Sequence, residues 1–459
     1  MTAQLALLVA LALPAVFAGD KDDDVVDLAP SQRLLLLVDG ETSARGFGSV
    51  LAPAGDLDGD GVGDLLVGAP QLSSGATQPA GQVLLVSGAD GHTLSTLSGD
   101  LAGEGFGSAV ALLSDLDDDG WPEVLVGAPR HDEYAINAGV ARVHSGKSGQ
   151  PLMFKPSRQD EPEPLQILGE EPFGYLGSAV AATGDLDGDG VDDFLVGAPS
   201  DPTQDALPGQ VVVVSGSNGQ ALTRHWGDES YEQFGHALAS VPDRDGDGAD
   251  DLVVGAPGAR DKDGLSSGRV LVISARSGEV LLQIRGRKGE RFGSSLAVVG
   301  DVDGDDVFEL LIGAPSASPN GAGSGSAYLV SGAKGKTLGS YHGATAHDQF
   351  GFSVAAPGDC DGDGSPDVLV GAHGADGGGY GSGAARLISA IDGRVVLEIT
   401  GDHQSLGLGY AVSAVGDLDG DGLADAALGQ LGQVRPTVGV GAVRVIAGLL
   451  PPVEDHDAR

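Results

Sequence analysis

Seven short stretches of this chain place carboxylates at positions 1, 3, 5 and 9 of a tight, glycine-rich turn. The third, Asp185-Leu186-Asp187-Gly188-Asp189-Gly190-Val191-Asp192-Asp193, shows the pattern. Carboxylates this close raise one another's pKa unless a cation lies between them. Oxygen-only donors select a hard cation, and Ca2+ accepts several in a flexible shell. The carboxylate donors are Asp56, Asp58, Asp60 and Asp64 in the first loop and Asp115, Asp117, Asp119 and Glu123 in the second. Asp185, Asp187, Asp189 and Asp193 form the third set, and Asp243, Asp245, Asp247 and Asp251 the fourth. Asp301, Asp303, Asp305 and Glu309 follow, then Asp359, Asp361, Asp363 and Asp367, then Asp417, Asp419, Asp421 and Asp425. Position 7 offers only its backbone carbonyl, so its side chain is free to vary: Val62, Trp121, Val191, Ala249, Val307, Ser365 and Leu423.

Two rival calcium folds fit less well. An EF-hand needs a Glu at position 12 and flanking helices, yet that position holds Val67, Val126 or Val196 inside an apolar run. The β-roll nonapeptide repeats have a different period. The loops also differ among themselves. Asp118 adds charge without a ligand at position 4 of the second, and Asp306 replaces glycine at position 6 of the fifth. These two sites are expected to be the weakest.

The whole composition carries the same signature. Lys and Arg number 25 against 66 Asp and Glu, a formal net charge of −41. Seven Ca2+ ions would reduce this to −27, and nucleic acid is not expected as a partner, because binding phosphate needs a basic patch. Cys360, the single cysteine, occupies the loop position held elsewhere by Leu57, Leu116, Leu186 and Leu418. It reads as a small core residue rather than a reactive thiol.

The elements that must position these loops are short strands. The first aspartates fall at 56, 115, 185, 243, 301, 359 and 417, so the interval is 58 or 59 residues except for one of 70. A fixed period of this kind marks a solenoid, propeller or array. Each unit repeats four apolar runs, which in the first are 46–54, 65–67, 82–86 and 93–97. No helical period persists. Four short strands per unit, seven times over, predict an all-β, seven-bladed β-propeller with four-stranded antiparallel blades. The seventh unit lacks its fourth strand, while Leu34 to Val38 precede the first unit as a spare. The N-terminal strand is therefore expected to complete the last blade and close the ring, which hides the sheet edges an open array would leave. The long interval places an insertion between Gly149 and Phe173, with the segment Glu161-Pro162-Glu163-Pro164, and reads as a surface elaboration.

At the N-terminus, residues 1–18 have the apolar core, Pro14 break and small-residue end of a secretory signal, though no basic residue precedes Lys21. The apolar stretch is too short to span a membrane. Residues 19–32 read as an acidic leader, 33–448 as the propeller and 449–459 as a tail. The expected location is secreted, periplasmic or cell-surface, and the expected state a monomer.

Phe106-Gly107, the acidic loop at 115–123 and Gly127-Ala128-Pro129 together resemble the FG-GAP repeat of the integrin α-subunit propeller. The Phe-Gly pair recurs at 47, 234, 292 and 350, with Leu176 and Leu408 in its place in units three and seven. Gly-Ala-Pro recurs at 68, 197, 255 and 313, whereas unit six has Gly371-Ala372-His373 and unit seven Gly429-Gln430. By that resemblance each acidic loop joins the first two strands of its blade on a lower face and binds structural Ca2+. Ligands would meet the opposite, upper face, on loops joining strands two to three and blade to blade. The resemblance covers 33–448 and stops short of an integrin's further domains, as in a free-standing propeller similar to those of secreted bacterial proteins.

No HExxH metalloprotease spacing is present, and no enzyme is expected. The predicted function is a calcium-binding, adhesion-type module for an unidentified extracellular protein. The alternatives are a carbohydrate-binding propeller or a lyase or hydrolase using a propeller cleft. Candidate ligand residues on the upper face are Arg130, Tyr134, Trp226, Tyr231, His373 and Tyr380, with His373 expected to be solvent-exposed. Glu133, Asp228 and Glu229 are the acids outside the calcium loops that an enzyme would have to recruit.

Overall fold

The computed structural model describes residues 34–40, 46–70, 80–154, 161–200, 207–432 and 441–449. The proposed signal and leader, and the tail beyond 449, lie outside them. Within the described residues there are no helices, and the strands form seven four-stranded antiparallel sheets and one two-stranded ribbon. Blade one runs Val50–Gly55, Asp64–Ala69, Gln82–Val86 and Thr93–Ser98 in sequential order. Blades three to six repeat this meander.

The second and third strands are apolar along nearly their whole length, because both faces of a propeller blade are covered by neighbouring blades. Asp64–Ala69 is buried at every position, as are Asp251–Ala256 and Arg269–Ser274. Their alternate side chains point to opposite faces, so Leu65, Val67, Leu84 and Val86 pack toward blade seven, while Leu66, Val83 and Leu85 pack toward blade two. The fourth strands lie at the rim and are half exposed. Val280–Arg285 alternates accordingly.

Phe-Gly and Gly-Ala-Pro are the devices that lock blade to blade. Phe47, Phe106, Phe234 and Phe350 are among the largest fully buried side chains, and Leu176 fills the same slot in blade three. The first strand is therefore shorter than the apolar run suggests. Residues 46–49 form a turn that seats Phe47, and the strand starts at Val50. The Gly-Ala-Pro glycine faces the Phe-Gly glycine of the next blade so closely that a Cβ at Gly68 would lie 2.5 Å from the Gly107 carbonyl oxygen. The last blade meets the first in the same way, with a Cβ at Gly429 lying 1.9 Å from the carbonyl oxygen of Gly48.

Two further observations close the ring. Leu34–Asp39 pairs antiparallel with Ala442–Ile446 as the outer strand of blade seven, as expected. The innermost strand of each blade also packs on that of the next, and Ala411–Gly416 of blade seven packs on Val50–Gly55 of blade one.

The insertion changes blade two. Leu152 accepts a hydrogen bond from Leu165 N–H at 2.7 Å and donates to the Val143 carbonyl at 2.9 Å. Met153–Phe154 then pairs with Glu163–Pro164 as a ribbon, and Gln166–Leu168 becomes the blade's outer strand. The elaboration thus interrupts the fourth strand instead of extending a loop.

Candidate functional site

Each acidic loop joins the first strand of its blade to the second, so all seven lie at one end of the strands. The loop is built by its own carboxylates. In the third, Asp185 Oδ1 accepts from Gly188 N–H at 2.6 Å and Asp189 N–H at 3.1 Å, and its Oδ2 accepts from Gly190 N–H at 2.8 Å. Asp187 Oδ1 accepts from Asp189 N–H and Asp189 Oδ1 from Val191 N–H, at 3.1 and 3.0 Å. The same ladder recurs in the other six loops with small variations. These backbone donors hold Asp185, Asp243 and Asp301 below the usual carboxylate range.

Position 9 begins the second strand and is buried, at 0 or 1% exposure in all seven loops. Its carboxylate bonds back to position 2, as in Leu57 N–H to Asp64 Oδ2 at 2.7 Å and Leu418 N–H to Asp425 Oδ2 at 2.8 Å. In three blades the other oxygen takes the N–H of the glycine after the third strand, Gly88, Gly216 or Gly448. In the remaining four, Glu123 Oε1, Asp251 Oδ1, Glu309 Oε1 and Asp367 Oδ1 are buried with no partner. Burial, reinforced by the neighbouring aspartates, pushes Glu123 and Asp367 up to about 7 and Asp193 and Asp251 up to about 6. A buried, unpartnered carboxylate oxygen is costly, and a divalent cation among the loop's acids would satisfy it.

The residues therefore fit a cation, though not identically. All four carboxylates of loops two and five converge to within 4.8 Å of one another. Loops one and three bring together Asp56, Asp58 and Asp64, and Asp185, Asp187 and Asp193, while loop four gathers Asp243, Asp245 and Asp247. The extra methylene of Glu123 and Glu309 lets position 9 join the other three. The two loops ranked weakest from sequence thus each bring all four carboxylates together. Their irregular residues do carry backbone cost: Asp118 at φ 59° and Asp306 at φ 63° occupy left-handed positions. Cys360 is buried, and its thiol is pushed up by burial, as expected for a core residue.

All six candidate ligand residues map to the opposite end of the strands. Tyr134 and Tyr380 are 69% and 80% exposed in loops between second and third strands, and Trp226 and Tyr231 are 47% and 36% exposed between blades three and four. The Arg260 guanidinium lies over the Tyr231 ring at 5.4 Å. Arg130 donates its N–H to the Glu104 carbonyl at 2.9 Å. His373 differs from expectation. It is half-buried, with its ring centroid 4.2 Å from that of Phe352 and 5.3 Å from that of Tyr410, because its blade lacks the proline that elsewhere fills this place. The six do not form one patch: four belong to the blade two to four sector and two to blade six.

The acids that could have served an enzyme are engaged. Asp228 pairs with Arg269 at 3.2 Å, Glu229 with Arg285 at 3.3 Å, and Glu133 with His131 at 3.3 Å. Sequence reading missed a second set of acids, two residues before the blade-opening Phe: Glu104, Glu232, Glu290 and Asp348, all buried. Glu104 meets His131 at 2.5 Å, Glu232 meets Arg269 at 2.6 Å, and Glu290 accepts from Tyr328 Oη–H at 2.9 Å. The acid-x-Phe spacing was visible, but the partners come from loops and strands about 25 to 40 residues away.

Comparison with known proteins agrees with this geometry. The FG-GAP repeat profile matches residues 47–86, 106–145, 176–214, 234–273 and 292–330. Integrin alpha-5 of Xenopus laevis is 32% identical over 221 residues, covering 46% of this chain and 20% of that protein. Integrin alpha-IIb of Homo sapiens is 35% identical over 219 residues, with 44% and 20% covered. Integrin alpha-PS2 of Drosophila melanogaster is 33% identical over 226 residues, with 44% and 15% covered. The aligned region spans a fifth or less of these relatives. In fold, the chain is similar to the structure titled "Crystal structure of BBS1N in complex with ARL6DN, soaked with lead", at a TM-score of 0.51 and 11% identity over 92% of this chain and 98% of that one. With its five matched repeats and its seven-bladed architecture, the chain belongs to the FG-GAP repeat propellers and is a homologue of the N-terminal region of integrin α subunits.

Proposed function

We propose that this propeller is an extracellular, adhesion-type protein-binding module, stiffened by Ca2+ on one face and docking its partner on the other. The observation that carries the reading is the contrast between the two ends of the same strands. One end repeats a single oxygen-donor loop seven times, while the other presents loops that differ from blade to blade and carry the exposed aromatics. Aromatic side chains exposed on rigidly held loops suit protein recognition.

The donors proposed for the ions are the carboxylates at positions 1, 3, 5 and 9 and the carbonyl at position 7 of each loop, up to seven ions in all. The chemistry supplied is charge neutralisation. The backbone N–H groups already shape the turn, and an ion offsets the repulsion they leave. No catalytic role is proposed. The binding face is assigned to the loops bearing Tyr134, Trp226, Tyr231 and Tyr380, with Arg130 and His373 beside them. The signal at 1–18 is the feature that would deliver the chain to calcium-rich fluid.

Pull-down from extracellular matrix, run in parallel with a glycan array, tests the reading. Capture of a defined protein that is lost in Tyr134→Ala or Tyr231→Ala, with the melting temperature unchanged, supports it. Saturable glycan binding lost in the same variants would replace it with the carbohydrate reading.

A further inference from the structure

Blade six leaves open a slot that its sister blades fill. In blades two, four and five the buried acid before the opening Phe is covered by a basic or hydroxyl group: His131, Arg269 or Tyr328. His131 stands four residues after the Gly-Ala-Pro glycine, where blade six has Ala375. Arg269 opens its third strand opposite Ala256, where blade six has Ala384 opposite Ala372. Tyr328 is the third residue of its strand, where blade six has Arg386. The Arg386 guanidinium is drawn aside, however, to Glu398 at 3.2 Å and the His342 carbonyl at 3.0 Å.

The acid itself is shortened from Glu to Asp348. It is 4% exposed, and its carboxylate takes the Thr345 N–H at 2.7 Å and the Thr345 hydroxyl at 2.6 Å, both from its own loop. No side chain from the rest of the blade reaches it as in the sister blades. The result is a cavity of about 280 Å3 between Asp348, Asp376, Arg386 and Glu398, floored by Phe350 and small alanines. Three carboxylates and one guanidinium leave its lining net negative.

We propose that this cavity binds a small organic cation, a guanidinium or ammonium on a short apolar stem, whose charged end meets Asp348. The chain supplies the precedent itself, since the equivalent acids are met by an imidazole, a guanidinium and a phenol. The apolar floor takes the stem, and a charge-assisted hydrogen bond at a buried carboxylate supplies orientation. The volume suits a fragment-sized ligand or one side chain rather than a larger molecule. The site stands apart from the calcium loops, and although Asp376 shares its loop with Tyr380, the proposal needs neither the calcium nor the docking reading to hold.

Alanine-methyl NMR of the full chain in calcium-containing buffer provides the test, with n-propylguanidinium and a blocked Gly-Arg-Gly peptide as probes. Saturable shifts at the Ala372, Ala375, Ala384 and Ala385 methyls are expected, with Ala249 in the fourth acidic loop as the control for non-specific cation association. Shifts with the free cation alone assign a small molecule; shifts with both admit an arginine side chain. Ala384→Arg, which imports blade four's own solution, should weaken binding about tenfold or more while the chain stays folded. Asp348→Asn should weaken it with the loop retained. The proposal is overturned if neither probe shifts the floor methyls beyond Ala249, or if Ala384→Arg binds as the parent does.

Discussion

The two ends of each blade are made by the same strands, yet they obey opposite rules. At the acidic end, one turn recurs in seven copies, and even its deviations keep a carboxylate at positions 1, 3, 5 and 9. At the other end, the same structural slot holds His131, Arg269, Tyr328 or an open cavity in different blades. A turn that must gather carboxylates around one ion has a single solution. A loop that must only cap a blade and cover one buried acid has several, so that end can diversify.

Removing divalent cations should produce the largest effect and strikes only the repeated end. Chelation is expected to lower the melting temperature by many degrees, since each site at tenfold excess over its Kd contributes roughly 1.4 kcal/mol. Calorimetry with and without chelator, with metal counted by mass spectrometry, checks this. An unchanged melting temperature with no copurified calcium would remove the metal from the account.

A single donor substitution sharpens the comparison through a change of sign. Asp251 is buried with Oδ1 unpartnered and burial raises its carboxyl. Asp251→Asn should cost about 2 kcal/mol in calcium, where a charged ligand is lost. In chelator it should be neutral or stabilising, because an uncompensated charge leaves the interior. Denaturant titrations under both conditions measure it.

The other end should respond to acid. Burial, with Arg291 as a second cause, pushes the His236 imidazole down to about 4. The unfolded chain binds its proton at ordinary pKa, so this histidine's full stability is present above about 6.5 and falls as pH drops toward 4. The slope is at most about 1.4 kcal/mol per pH unit. His236→Gln should flatten the curve in that window, read by thermal melts at constant calcium.

The smallest effect is expected at the exposed aromatics. Tyr134→Ala and Tyr380→Ala should change stability by no more than about 0.5 kcal/mol while altering partner capture. A large loss of stability would make these residues structural and break the division between the ends.

Much of the architecture was legible because it is local or periodic. The donor spacing, the four-strand unit and the spare strand at Leu34 to Val38 all lie on the chain in order. The expectation for His373 failed for a physical reason. It sits where a proline usually closes the strand, but Phe352 from the start of its own blade and Tyr410 from blade seven come together to enclose it. Likewise, the insertion was visible as extra length, yet which segment supplies the rim strand depended on Val143 choosing Leu165 as its partner.

The sequence alone determined that seven acidic turns would be held at a fixed period by short strands, because a nonapeptide's donors and a strand's alternation are properties of neighbours along the chain. Only the tertiary structure decided which loops bring all four carboxylates together, which position-9 oxygens are left unpartnered, and where a buried acid goes uncovered. Those outcomes depend on side chains brought together from distant parts of the chain. A methylene more in Glu123, or one fewer in Asp348, changes the result without changing the pattern.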